Sequence, residues 1–447
     1  MAEAEREGAK RAGRVFVEYF VEDAVVRLRQ HENSLLYEVE EPELTDRVRN
    51  LLDRAMGEYV KKGTEPEKLV EKYVKKLSGE EAAAFRYYLF RELKGFSKLH
   101  VFMLDDQIED FTITMPGPVR LIHRLAPHYE WIESNIAIES DEELDRLVKL
   151  VVERSGGSIT PANPVVEILT PTFDRVAGVL RGEVSLHSSI TVRKFPRKPY
   201  SLARLLRLGT LNSEVAAFLW LAVELKCNLI IAGLTGSGKT TLLNSLLLQL
   251  PKNYKIITIE EHPEINLKDH PGWLPLYART PTAPASKQTA IPLTQLLKTA
   301  LRHRPTIVAV GEARAEEVQD MVTAAAVGHG TATTIHTDSL EHMIRRLTSH
   351  PMNLRADQLA LIDYVILITR RPDGRRQVTE IYENRAGKWE PIYDSKSGKF
   401  KLPEKLGEKL ALTHRGLNPL EILALEIRRR AEQLRAQARA EEVVTAA

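Results

Sequence analysis

The segment Gly233-Leu-Thr-Gly-Ser-Gly-Lys-Thr240 has the spacing G-x-x-x-x-G-K-[ST]. A loop of this kind turns several backbone N–H groups inward around one anion. A helix starting on it adds the positive end of its dipole. Lys239 supplies a mobile cation for the β- and γ-phosphates of a nucleotide, and the Thr240 hydroxyl is placed to ligate Mg2+. The flanks have the required character. Asn228 to Ala232 is a short, isoleucine-rich run that reads as a buried strand. Beyond Thr240, Leu242, Leu243, Leu246 and Leu247 recur at helical spacing. The candidate nucleotide-binding residues are therefore Gly233, Thr235, Gly236, Ser237, Gly238, Lys239, Thr240 and Thr241.

Phosphate chemistry on such a loop needs an acid that positions the metal and polarises water. "TIVAVGEAR" (306–314) supplies a second apolar strand followed by Glu312. An acid at the carboxyl end of a strand lies in the ligand crevice of an α/β sheet. "IITIEEHPEINL" (256–267) brings Glu260 and Glu261 to the end of another strand, and "AAAVGHGTATTIHTDSLEH" (324–342) adds His329 and His336. The glycines beside His329 imply a sharp turn or a close backbone approach. Each of these residues, taken singly, also suits a structural or solvated role.

The elements that must hold these residues follow from periodicity. Residues 1–40 alternate short apolar runs with charges and look partly extended. Residues 42–96 show three helical stretches, each near a Thr, Pro or Ser-Gly start signal. Between 100 and 195, β-type runs ("FTITM", "VRLIHRL", "SSITVRKF") surround one helix, "SDEELDRLVKLVVERSG", which predicts a small α+β domain. "KFPRKPYS" (194–201) reads as a linker. From 202 to 385 strands and helices alternate, the signature of a mostly parallel α/β sheet. The tail from 403 ends in a charged amphipathic helix, read as solvated or packing.

Composition narrows the class. A chain of 447 residues accommodates two or three cored domains, and its net charge of +2 argues against direct nucleic-acid binding. A single cysteine, Cys227, excludes an internal disulfide and a cysteine-based zinc site. The start, Met-Ala-Glu-Ala-Glu-Arg-Glu, does not read as a signal peptide, and no apolar run is long enough to span a membrane.

The order of the pieces resembles the type II/type IV secretion ATPase superfamily, the hexameric motors of type II secretion, type IV pili and the archaellum. Their Walker A, Asp box, Walker B and His box signatures match residues 233–240, 258–267, 302–314 and 327–338. "IEDFTIT", "VRLIHRLAPHYEWIESNI" and "VAGVLRGEVSLHSSITVRKF" resemble the N-terminal domain of the archaeal branch. Two departures stand out. The Asp box reads Ile259-Glu260-Glu261 where the family usually has Ile-Glu-Asp. Phe173-Asp174-Arg175 replaces a proline-aspartate-glycine turn, which leaves the role of Arg175 open.

The resemblance implies a RecA-like P-loop NTPase domain at 202–395. Before it come an extended and helical segment (1–98), a small α+β, PAS-like domain (99–195) and a linker (196–201), and a helical tail (396–447) follows. It implies ATP and Mg2+ as cofactors, with Thr240, and Glu312 directly or through water, at the metal. Glu312 would polarise the attacking water with help from Glu260 and Glu261. His336 and His329 would sense the γ-phosphate. Arg175, Arg181 and Arg193 would reach the nucleotide from the N-terminal domain, against a plain basic linker formed by Arg193, Lys194, Arg197 and Lys198. The implied protein is a homo-hexameric ATPase motor, cytoplasmic and peripheral at the inner face of the membrane. It would act on an integral-membrane platform protein and, through it, on pilin-like subunits. A DNA-transfer motor and a nucleotide-gated scaffold with little turnover are the alternatives.

Overall fold

The alternating runs of the first half of the chain become strands of one sheet, and the isoleucine-rich runs of the second half become strands of another. The computed structural model describes residues 14–31, 34–126, 129–279, 290–412 and 418–446. The charged start, on which the signal-peptide reading rests, lies outside them. The chain forms two units, Met1–Phe195 and Pro196–Ala447.

The first unit holds β1 (Arg14–Val21), β2 (Ala24–His31), β3 (Ser34–Glu40), β4 (Ile108–Ile113), β5 (Gly117–His123), β6 (Ile132–Ile138), β7 (Val165–Leu169), β8 (Arg175–Val179) and β9 (Ser189–Arg193). They make a nine-stranded sheet in the order β1-β2-β3-β6-β5-β4-β9-β8-β7. Every pairing is antiparallel except β3 with β6. Residues 14–40 thus continue the sheet of residues 108–193 rather than forming one of their own. The helix Asp141–Arg154 starts at Ser140, whose side chain accepts from the Glu143 N–H, and buries Leu144, Leu147, Val148, Val151 and Val152. Three helices between β3 and β4 (Asp46–Lys62, Pro66–Val74, Gly79–Leu93) carry a small core of their own around Leu69 and Phe85.

A buried polar chain ties the first strands to this sheet. The hydroxyls of Tyr19 in β1 and Tyr37 in β3 both lie 2.6 Å from Asp105 Oδ2, and Tyr19 Oη lies 2.7 Å from His123 Nε2. The Leu125 N–H donates to His123 Nδ1, so the ring proton sits on Nε2 and the chain runs from His123 to Tyr19 to Asp105. Burial, aided by Arg124, pushes the His123 imidazole down to about 4, which keeps it neutral.

The second unit holds β10 (Leu229–Gly233), β11 (Ile256–Glu260), β12 (Trp273–Tyr277), β13 (Ile307–Val310), β14 (Gly330–His336), β15 (Tyr364–Arg370), β16 (Arg376–Arg385), β17 (Lys388–Asp394) and β18 (Lys399–Phe400). Their order is β12-β11-β13-β14-β10-β15-β16-β17-β18. The strands from β12 to β15 pair in parallel, and β15 to β18 form an antiparallel extension. Successive residues of β10 enter different cores. Leu229 and Ile231 pack with Leu242, Leu243 and Leu246, and Ile230 and Ala232 pack with Val318 and Ile335. A strand buried on both faces must read as a continuous apolar run, as this one does. The expected α/β class is the one observed.

Described residues after 396 contribute to this unit's core, among them Leu406, Leu410 and Leu423. In the helix Pro419–Ala446, Leu423, Ile427, Ala431 and Leu434 recur every three or four residues and are buried against the same core as Phe218 and Leu219. Arg430 lies over the Trp220 ring at 4.5 Å and makes paired contacts of 2.8 and 3.1 Å to the Glu224 carboxylate. Of the two readings, solvated or packing, the packing one holds. The charged residues that suggested solvation lie on the outer face or, like Arg430, pair inward.

Leu434 is fully buried. Leu434→Ala should therefore lower the stability of the second unit by about 2–4 kcal/mol in urea unfolding. An unchanged midpoint would detach this helix from the core.

Candidate nucleotide site

The parallel part of the sheet brings the candidate residues to one edge. Strand β10 ends at Gly233 opposite His336, the last residue of β14. Val310 of β13 pairs with Thr333 of β14 and with Ile259 of β11. Glu260, the last residue of β11, and Gly311 and Glu312, which follow β13, therefore lie at the sheet edge that carries the 233–240 loop.

The loop has the form its sequence implies. Gly236 and Gly238 have φ of 73° and 94°, in the left-handed region that only glycine enters at little cost. Gly238 is the N-cap of the helix Lys239–Leu247 and caps it with no side chain, so the first helical N–H groups stay open toward the loop. Lys239 Nζ donates to the Leu234 carbonyl at 3.0 Å. Burial lowers the pKa of its ammonium, and Glu312 and Glu264 act in the opposite sense. The Ser237 hydroxyl is buried with no hydrogen-bond partner. Thr240 and Thr241 sit on the first turn of the helix. Open helical amides, a lysine and an unpartnered buried hydroxyl fit a bound polyphosphate. Thr240 and Glu312 offer the hard oxygen donors that Mg2+ takes.

His336 is attached to the loop directly. Its Nε2 lies 3.1 Å from the Thr235 backbone nitrogen and 2.8 Å from the Thr235 hydroxyl. An amide N–H only donates, so Nε2 accepts and the ring proton sits on Nδ1.

The three acids occupy different environments. Glu260 is 3% exposed. Its Oε1 accepts from the N–H groups of Glu264 and Ile265 at 3.1 and 3.0 Å, while Oε2 is buried with no hydrogen-bond partner. Burial drives its pKa up to about 8 against the pull of those two amides. A Cβ on Gly311 would come within 2.9 Å of Glu260 Cγ, so the side chain lies flat against the turn that carries Glu312. Glu312 and Glu261 share one guanidinium: Arg314 Nη2 lies 2.8 Å from Glu312 Oε2, and Nη1 lies 3.0 Å from Glu261 Oε2. Burial would raise the Glu312 carboxyl, but Arg314 and Lys239 outweigh it and hold it below the usual carboxylate range. The turn itself is held by the Thr334 hydroxyl on the Gly311 carbonyl (2.7 Å) and by the buried Glu317, which accepts from the Arg314 and Ala315 amides.

Not every expected residue joins this cluster. His329 precedes β14 and so lies at its opposite end, about 23 Å from His336 at ~3.3 Å per residue. Its Nδ1 donates to the Pro305 carbonyl at 2.8 Å, a structural contact. The two histidines expected to sense the γ-phosphate therefore stand at opposite ends of one strand, and of the two it is His336 that bonds the loop. The three expected arginines of the first unit each have a carboxylate partner there. Arg193 Nε lies 2.9 Å from Asp110 Oδ1, Arg175 pairs with Glu167, and Arg181 bonds Asp145 and Glu142 at 2.9 Å each. Lys194 is no part of a solvated basic linker: it is buried, with Nζ on the Met103 carbonyl and near Asp174. Asp174 in turn accepts from the Phe195 N–H at 2.8 Å, closing the turn in which Phe173 takes φ 66°.

Two residues at the loop edge carried no sequence signal of their own. Arg314 follows the second strand as one more charge. Arg376 lies in the run "RRPDGRR" (370–376), which reads as a turn between strands.

A family model described as "Type II/IV secretion system protein" matches residues 180–389. An uncharacterized protein of Methanocaldococcus jannaschii is 31% identical over 355 residues, covering 74% of this chain and 63% of that protein. A shorter uncharacterized protein of the same organism is 38% identical over 185 residues, or 40% of this chain and 67% of its own length. Type IV secretion system protein PtlH of Bordetella pertussis is 29% identical over 319 residues, covering 64% of this chain and 92% of that protein. The chain thus spans less than two thirds of the first of these relatives.

The Glu260 carboxyl has an ordinary value of 4.5 and holds its proton in the fold up to about pH 8. Between those values the native state binds more protons than the unfolded chain, so its contribution to stability falls as pH rises. The slope is up to about 1.4 kcal/mol per pH unit. Glu260→Gln keeps an acceptor for both amides and cannot ionise. Its urea midpoint, measured against the parent, should gain steadily from about pH 5 to pH 8. A constant difference across that window would mean that the native carboxyl is already ionised.

Proposed function

The chain belongs to the type II/type IV secretion ATPase superfamily, and on that premise we propose that it is a Mg-dependent ATPase motor. The work we assign to it is the assembly or secretion of pilin-like subunits through an integral-membrane platform protein. One observation carries the reading. The lysine of a glycine-rich phosphate loop at the end of β10 and a carboxylate that follows β13, two strands away, come to the same edge of one parallel sheet. A loop that merely turned a corner would need neither.

The loop amides and Lys239 would hold the β- and γ-phosphates. Thr240, with Glu312 directly or through water, would hold Mg2+, which neutralises charge on the phosphate oxygens when bound. Glu312, kept ionised by Arg314, would orient the attacking water and take up its proton. Glu261 would steady that guanidinium. Glu260, protonated at neutral pH, would donate rather than accept. His336, bonded to the Thr235 amide, would carry the state of the loop into β14. For Arg175, Arg181 and Arg193 the reading requires release from their present carboxylates before they act on a phosphate.

The reading includes a ring of six copies at the inner face of the membrane, held there by a protein partner. Among the described residues no helix is long and apolar enough to cross a membrane. The relative from Bordetella pertussis is itself named for a type IV secretion system, which supports the class of machine.

Lys239→Ala should abolish nucleotide binding in an equilibrium titration with ATP and Mg2+. Glu312→Gln should bind as the parent does and lose at least about a hundredfold in turnover, the usual worth of a positioned base. Parent-like hydrolysis by Glu312→Gln would remove Glu312 from the water-activating role. Binding without measurable turnover in the parent would favour the nucleotide-gated scaffold instead.

A further inference from the structure

The antiparallel extension of the second unit reaches the phosphate loop. Strand β15 pairs with β10 as far as Leu367 opposite Ala232, then runs on to Arg370, past the end of β10. Its partner β16 carries a bulge, because Leu367 pairs with Glu380 but the next residue, Ile368, pairs with Val378. The bulge resets the alternation, so Ile381 and Val378, three residues apart, both enter the core that holds the helix after the loop. Arg376, two residues before Val378, therefore faces the same side. Its Nε lies 3.0 Å from the Gly236 carbonyl oxygen. Its stem crosses the start of the helix, where a Cβ on Gly238 would lie 3.0 Å from Arg376 Cδ.

The peptide between Gly236 and Ser237 is thus held at both ends. Its carbonyl is fixed by Arg376 and its N–H donates to the Leu234 carbonyl at 3.2 Å. A carbonyl turned inward at this point would present a negative end to an anion. One anchored outward leaves the site to N–H groups and cations.

We propose that Arg376 is a positioning residue for the diphosphate of the bound nucleotide: its Nε–H pins the Gly236 carbonyl outward and so keeps the loop in its anion-accepting form. The inference rests on the nucleotide reading of the loop. The contact reaches the loop before the transferred group, so ADP and ATP are held by it alike.

The test compares Arg376→Met, which keeps the stem and removes the donor, with Arg376→Lys, which keeps a donor. Affinities for ADP and for ATP are measured with Mg2+, together with steady-state turnover and amide hydrogen exchange of residues 234–238 without nucleotide. Arg376→Met should weaken both nucleotides by about tenfold, in line with one charge-assisted hydrogen bond. KM should rise by a similar factor while kcat falls by less than about threefold, and exchange in the loop should quicken. Arg376→Lys should recover most of the affinity. Parent-like affinity and exchange in Arg376→Met would overturn the inference and leave the nucleotide reading intact. So would a fall in kcat alone, which would make Arg376 an actor on the transferred group. Absence of nucleotide binding by the parent protein would overturn both.

Discussion

The pairing of Gly233 with His336 is the constraint on which the site depends. Parallel strands run in one sense, so their carboxyl ends collect at one edge, and register alone decides which residues meet there. A slip of one residue between β10 and β14 would shift the loop by about 3.3 Å and turn every side chain to the other face. The two cores forbid it. Leu229 and Ile231 fill one, Ile230 and Ala232 the other, and β15 repeats the pattern with Ile366 and Leu367. Glu260 and His336 stand where β11 and β14 end.

That edge also sorts its acids. Glu260 loses water to a packed turn and gains only two amides, so it keeps a proton at neutral pH. Glu312, half-buried a few residues away in space, gains a guanidinium and stays charged. Environments that push two carboxyls apart are how one site offers a donor and an acceptor together. The extra methylene of Glu261, where an aspartate is usual in the family it resembles, lets that side chain share Arg314 with Glu312.

What could be read from the chain follows from how local each signal is. The loop, its strand and its helix are contiguous in sequence and are stabilised by contacts among themselves, so residues 228–247 carry their own pattern. Glu312 and His336 are legible because each closes an apolar run. Arg376 is not, since its bond to Gly236 spans 140 positions and depends on a bulge that leaves no mark in the sequence. The same holds for the parallel pairing of β3 with β6, made across a helical insertion, and for Lys194, whose basic neighbours hide its burial. The two histidines show the limit most clearly. The motif that contains both says nothing of their separation, and a strand drawn between them sends them to opposite ends of the sheet.

The last helix has a geometric corollary. Glu441 Oε1 lies 2.7 Å from the hydroxyl of Ser201, the residue that caps the first helix of the second unit. The two ends of that unit therefore lie side by side, and its path through space is nearly a closed loop. In topological terms the order of its elements is a choice of starting point. A short peptide bridging the ends, with a new opening at the exposed turn around Asp373, would preserve every strand neighbour and the packing of the unit.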